Sequence, residues 1–101
     1  MNTRRGGFTY IITNKNHTVL YTGVTSNLRA RIWEHKTKHY PKSFSAIYNC
    51  DKIVWFEFLP TIQEAIDREK QIKAGNRRAK EKLIHSLNPG WKDLWDEIQD
   101  L

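Results

Sequence analysis

Phe8-Thr9-Tyr10-Ile11-Ile12-Thr13 and Thr18-Val19-Leu20-Tyr21-Thr22-Gly23-Val24, separated by Asn14-Lys15-Asn16-His17, decide the fold. Both runs are β-branched and aromatic, as strands are, and the four residues between them have turn composition, so the unit reads as a β-hairpin. With the loop centred between Lys15 and Asn16, Thr13 faces Thr18, Ile12 faces Val19 and Tyr10 faces Tyr21. Residues directly opposed in an antiparallel pair share a face at about 5 Å. This register sets two phenols side by side and leaves Gly23, opposite Phe8, as open space at one end. The other use of the same pair is two amphipathic aromatics capping a core.

Residues 1–7 form a polar, glycine-ended lead-in to the hairpin. Beyond it, Thr25-Ser26-Asn27 supplies capping residues for a helix over about 27–38. On that helix Leu28, Arg31, Ile32 and His35 share one face at i, i+3, i+4, i+7 spacing. Two aliphatics with an arginine and a histidine are not a plain core face; the alternative is a boundary where Arg31 snorkels. Residues 38–50 are a mixed loop with a short helical turn around Ser43–Tyr48. Lys52–Leu59 is a third strand, and apolar side chains on both parities predict a central position in the sheet.

Pro60 stops that strand, and Thr61-Ile62-Gln63-Glu64 is a capping box opening a helix over about 62–74, before Gly75. Its inner stripe is Ile62, Ala65, Ile66, Glu69, Ile72 and Lys73. A carboxylate inside an apolar stripe must be partnered, because an uncompensated buried charge costs several kcal/mol. An arginine, a lysine or a metal ion would serve Glu69, and a structural ion pair is the plain alternative. A basic helix over about 77–87 carries Arg77, Arg78, Lys80 and Lys82, and Asn88-Pro89-Gly90 breaks it. A last helix over about 91–98 places Trp91, Leu94, Trp95 and Ile98 on one face as a clasp over the core.

The 101 residues suit one domain, spanning 1–101, with a modest core. A 39 % hydrophobic fraction excludes a disordered chain despite a mean hydropathy of −0.72. A net charge of +6 favours a polyanionic partner. The single cysteine, Cys50, excludes an internal disulfide and a cysteine-based zinc site. There is no apolar run of membrane-spanning length and no signal-peptide core at Met1, so the expectation is a cytoplasmic protein without a membrane partner.

Taken together, these residues resemble the GIY-YIG nuclease family, in its small stand-alone branch. Phe8-Thr9-Tyr10 and Tyr21-Thr22-Gly23 stand where the name-giving tripeptides fall, followed by Asn27-Leu28, Arg31, His35, Arg68-Glu69-Lys70-Gln71-Ile72-Lys73 and Asn88-Pro89. The resemblance covers residues 8 to about 91 and departs from the motif at Phe8, Thr9 and Thr22. It implies an α+β fold: a three-stranded antiparallel sheet flanked by about four helices, with the active site on one sheet face. It also implies hydrolysis of phosphodiester bonds in DNA rather than RNA, with one divalent cation, Mg²⁺ or Mn²⁺, and a place in DNA repair or recombination. Structure-selective or weakly selective cutting is the expectation for so short a chain. The catalytic candidates are Tyr10 as general base, Tyr21, Arg31, His35 and Glu69, with Glu69 as metal anchor. A base role for Tyr10 needs a depressed pKa, with Arg31 and the metal pushing it down. Gly23, Lys73, Asn88, Arg77, Arg78 and Lys80 are the candidates for substrate contact. A non-catalytic nucleic-acid-binding module on the same fold is the second reading.

Overall fold

The computed structural model describes residues 6–101, so the first five residues of the polar lead-in lie outside the described residues. Strand β1 (Gly7–Thr13) is central, with β2 (Leu20–Thr25) on one side and β3 (Lys52–Leu59) on the other, both antiparallel to it. Four helices accompany the sheet: α1 (Leu28–Lys36), the single turn α2 (Phe44–Ile47), α3 (Ile62–Ala74) and α4 (Arg77–Leu87). The three-stranded antiparallel sheet flanked by helices is therefore as expected. No helix among the described residues is long and apolar enough to cross a membrane.

The hairpin register differs from the symmetric one. Tyr10 lies opposite Gly23, Ile12 opposite Tyr21 and Thr13 opposite Leu20, a two-residue offset that keeps both phenols on one face but not side by side. The cause is an asymmetric loop that takes Thr18 and Val19 out of the ladder. The Asn14 carboxamide oxygen accepts from Thr18 N–H at 2.8 Å and Val19 N–H at 3.1 Å, and His17 turns the chain at φ 58°. Nor is the space at Gly23 open. A Cβ there would run into the Tyr10 phenol, whose ring lies across the glycine.

β3 is an edge strand rather than the central one. A bulge at Val54 explains its apolar side chains on both parities: Ile11 pairs with Trp55 while Ile12 pairs with Ile53, leaving Val54 unpaired. Val54 and Trp55 thus both join the cluster of Ile11, Ile72 and Ile84 under α3 and α4. Ile53 belongs to the opposite cluster, with Phe8, Tyr10, Ile12, Leu28, Ile32, Cys50, Leu94 and Ile98. Each fully buried isoleucine is worth about 2 kcal/mol in area removed from water. On the α3 side the sheet approaches closely: a Cβ on Gly7 would stand 2.7 Å from Ile62 Cδ1 and 2.9 Å from Ala65 Cβ.

Two helical expectations are corrected. Ile62, assigned to the inner stripe of α3, is 41 % exposed at the first helical position, and Ala65 and Ile72 carry the burial. Residues 91–98 are not a helix, because Trp91 takes a left-handed φ of 54° and only Asp96–Ile98 forms a 3-10 turn. The segment still clasps the sheet. Leu94 N–H donates to Ile53 C=O at 2.8 Å, and the Asp93 carboxylate accepts Ile53 N–H at 3.2 Å, both on β3.

Candidate active site

Two elements on one side of the sheet converge on Tyr10. Asn27 caps α1 by accepting Ala30 N–H at 3.2 Å, and the helix then buries Leu28, Ile32 and His35 along one stripe, with Arg31 at its margin. His35 Nε2 lies 2.8 Å from the Tyr10 hydroxyl, and His35 Nδ1 lies 2.9 Å from Ser45 Oγ. Ser45 is delivered by α2, whose N-cap Ser43 accepts Ala46 N–H at 3.3 Å. The imidazole also meets both phenols edge-on, with centroids 5.7 Å from Tyr10 and 5.8 Å from Tyr21.

α3 packs across β1 and β2 and brings Lys73 to Tyr21, with Glu69 beside the lysine. Lys73 Nζ sits 5.8 Å over the Tyr21 ring and 3.3 Å from Glu69 Oε2. The Glu69 side chain is only 16 % exposed, against 50 % for Lys73. Glu69 is close enough to raise the Tyr10 pKa. Arg31, 2.8 Å from Glu34, acts on Tyr10 in the opposite sense. Tyr10, Tyr21, Arg31, His35, Glu69 and Lys73 therefore form one constellation.

On balance the protein's own groups do not depress the Tyr10 pKa. Burial lifts its pKa well above the ordinary tyrosine range; Arg31 opposes this, while Tyr21 and Glu69 add to it. The phenol is thus neutral at physiological pH, not the depressed acid that a free-standing base requires. Burial, aided by the Arg31 charge, lowers His35 to about 4, so its imidazole is also neutral. A neutral imidazole keeps one nitrogen free to accept a proton. In the tautomer that directs Nδ1–H at Ser45 Oγ, that nitrogen is Nε2, facing the Tyr10 hydroxyl.

The remaining sequence candidates go elsewhere. Asn88, 5 % exposed, is turned into the fold. Its amide donates to Val54 C=O at 3.2 Å and Lys92 C=O at 2.7 Å, and its oxygen accepts Lys92 N–H at 3.2 Å. Arg77 donates to His17 C=O, to Thr18 C=O at 3.0 Å and to Glu81 at 3.0 Å, so it braces the hairpin loop. Lys80 Nζ caps α3 through Gly75 C=O at 2.6 Å. Gly23 is occupied by the Tyr10 ring, and Arg78 alone of the basic α4 candidates stands exposed without such a tie. Sequence reasoning missed Ser45, since a serine in a mixed loop carries no periodic signal for a tertiary hydrogen bond.

Among the described residues no three His, Cys, Asp or Glu side chains gather as a metal cluster. Glu69 stands as a lone carboxylate whose nearest partner is a half-exposed lysine. A single carboxylate suits a hydrated Mg²⁺ ion, which keeps several waters and needs few protein oxygens.

A GIY-YIG catalytic domain matches residues 6–82, the stretch that holds the whole constellation. The chain belongs to the GIY-YIG family. It is 32 % identical over 77 residues to a UPF0213 protein of Syntrophus aciditrophicus (strain SB), covering 76 % of this chain and 87 % of that one. Its fold is similar to the solution NMR structure of a UPF0213 protein from Bacillus halodurans, with a TM-score of 0.51 and 28 % identity over 84 % of this chain and 87 % of the other. GIY-YIG domains are nuclease domains, which makes nucleic acid the general substrate class of the fold.

Proposed function

We propose that this GIY-YIG chain is a metal-dependent DNA endonuclease that hydrolyses phosphodiester bonds with weak or structure-based selectivity, in repair or recombination. The observation that carries the reading is the Tyr10–His35–Ser45 hydrogen-bonded chain, with Arg31 and Glu69 acting on the same phenol. Neither feature is needed to close a core, and a half-buried carboxylate and a buried imidazole burden stability.

Each residue has a chemical task. Arg31 offers a fork of N–H donors to the phosphoryl oxygens as charge builds there. Tyr21, half-buried and flanked by Lys73, positions the phosphate or the attacking water. Tyr10 and His35 act as one unit: the phenol accepts the water's proton while its own passes to His35 Nε2, so no free phenolate is required. Ser45, 2.9 Å from Nδ1, would favour the tautomer that keeps Nε2 open by accepting Nδ1–H. Glu69 would hold the divalent cation, whose contribution is to polarise the phosphoryl group and acidify bound water.

The test is cleavage of single-stranded, duplex, flap and branched DNA with Mg²⁺, with Mn²⁺ and with chelator, beside Glu69→Ala. Expected is metal-dependent cutting that falls at least a hundredfold in Glu69→Ala and in Tyr10→Phe while DNA binding persists. Binding without any cutting, indifferent to Glu69→Ala and to chelator, would favour the non-catalytic binding module instead.

A further inference from the structure

The segment between α1 and β3 carries more aromatic surface than its packing uses. Tyr40 is 53 % exposed, and Phe44 and Tyr48 are each 49 % exposed. They are not scattered. Phe44 stacks on Tyr21 with centroids 6.0 Å apart and an interplanar angle of 28°, and Tyr48 leans on Phe44 at 4.6 Å. The Arg31 guanidinium lies 5.6 Å from the Tyr40 ring centroid. Two aromatic arms thus run outward from the constellation, one from Tyr21 and one from Arg31.

Charge on this surface is mainly positive. Between Lys38 and Cys50 the chain has no acidic residue and carries Lys38 and Lys42, and Lys38 lines the same small pit as Arg31, His35 and Tyr40. Glu34 also lines that pit and is held by Arg31. Cations interleaved with exposed rings match a strand of phosphates with accessible bases. The backbone that carries the rings is fixed by hydrogen bonds of its own. Tyr48 N–H donates to Phe44 C=O at 3.0 Å, Cys50 N–H to Ser45 C=O at 2.8 Å, and Ser45 ties the turn to His35.

From this we infer that Phe44 and Tyr48 form a stacking shelf for an unpaired nucleobase adjoining the scissile phosphate, with Tyr40 and Lys38 tracking the backbone beside Arg31. The inference rests on the nuclease reading and names its substrate class, a nucleic-acid strand with unpaired bases at the cut. In a duplex the base faces are covered by their neighbours, so an aromatic plate on the protein gains nothing from them. On a single strand every base has a free face, and stacking is tolerant of sequence.

The experiment uses the full chain carrying Glu69→Ala, in chelator, so that nothing is cut. It is titrated with three probes of one sequence containing 2-aminopurine: single-stranded DNA, single-stranded RNA and blunt duplex DNA. Expected is quenching of 2-aminopurine on the single strands and roughly tenfold weaker binding in Phe44→Ala or Tyr48→Ala. Duplex binding stays unchanged in both variants, and Phe44→Tyr retains the quenching. The DNA and RNA arms say which strand the shelf prefers. Equal losses on duplex and single strand, or no loss in either alanine variant, would overturn the shelf. Because Phe44 touches Tyr21, Tyr48→Ala and Tyr40→Ala are measured alongside; a merely structural role would lower their melting temperature and leave the quenching intact. Metal-dependent cleavage without quenching sinks the shelf and spares the nuclease reading, whereas quenching without cleavage does the reverse.

Discussion

His35 is the residue on which the constellation turns, and its titration is directly measurable. Its pKa is lowered from 6.5 to about 4 by burial and by Arg31. Between those values the unfolded chain holds a proton that the folded chain refuses, so stability falls as pH drops from 6.5 towards 4. The full effect is on the order of 3 kcal/mol. Urea unfolding at pH 7 and pH 4.5 should therefore show a smaller loss for His35→Gln than for the parent, and an NMR titration should place the imidazole near 4. A midpoint near 6.5 would remove the neutral acceptor from the proposed relay. Gly23 makes a second test at this scale. Gly23→Ala forces the Tyr10 ring aside, which should cost roughly 1–3 kcal/mol and abolish cleavage, read by urea unfolding and by the DNA panel. These two residues also mark the limit of what sequence offers. The i, i+4 spacing of Arg31 and His35 puts them on one helix face, and strand parity puts Tyr10 and Tyr21 on one sheet face. That Tyr10 rests on Gly23 depends on the Asn14 side chain reaching Thr18 and Val19, and no pairing rule contains that contact.

At the scale of elements, α4 shows why basic composition overstates a binding face. Arg77 and Arg78 are adjacent and chemically identical, but Arg77 braces the hairpin loop while Arg78 is exposed. Arg78→Ala should flatten the salt dependence of DNA affinity by about one phosphate contact. Arg77→Ala should leave that slope unchanged and lower stability instead, as filter binding across salt and thermal unfolding would show. Asn88 behaves like Arg77: Asn88→Ala removes three hydrogen bonds, one to Val54 of β3 and two to Lys92 within the loop, at about 1–3 kcal/mol, with cleavage per folded molecule retained. Such assignments are tertiary, and a side chain's donors look the same in sequence whether a phosphate or a carbonyl takes them. The edge position of β3 is hidden in the sequence for a related reason. Apolar residues on both parities signal two covered faces, and a bulge at Val54 produces the same pattern on an edge strand.

Across the whole molecule, the +6 charge sets a long-range attraction for phosphates that supplies affinity without sequence preference. Affinity for a single strand should fall log-linearly with salt, with a slope of roughly −0.7 per contact; a salt-independent affinity would contradict any phosphate-binding role.

The hydrogen bonds from Leu94 and to Asp93 at Ile53 have a further bearing on how copies of this protein coexist at high concentration. A bare outer edge on a strand as apolar as Lys52–Leu59 is a template on which another chain can build a continuous sheet. The clasp occupies part of that template, so it protects against self-assembly as well as covering the core. Asp93→Ala, which frees the Ile53 amide and releases Lys36 from its 2.6 Å ion pair, should raise light scattering and thioflavin binding on mild heating well before the helices melt.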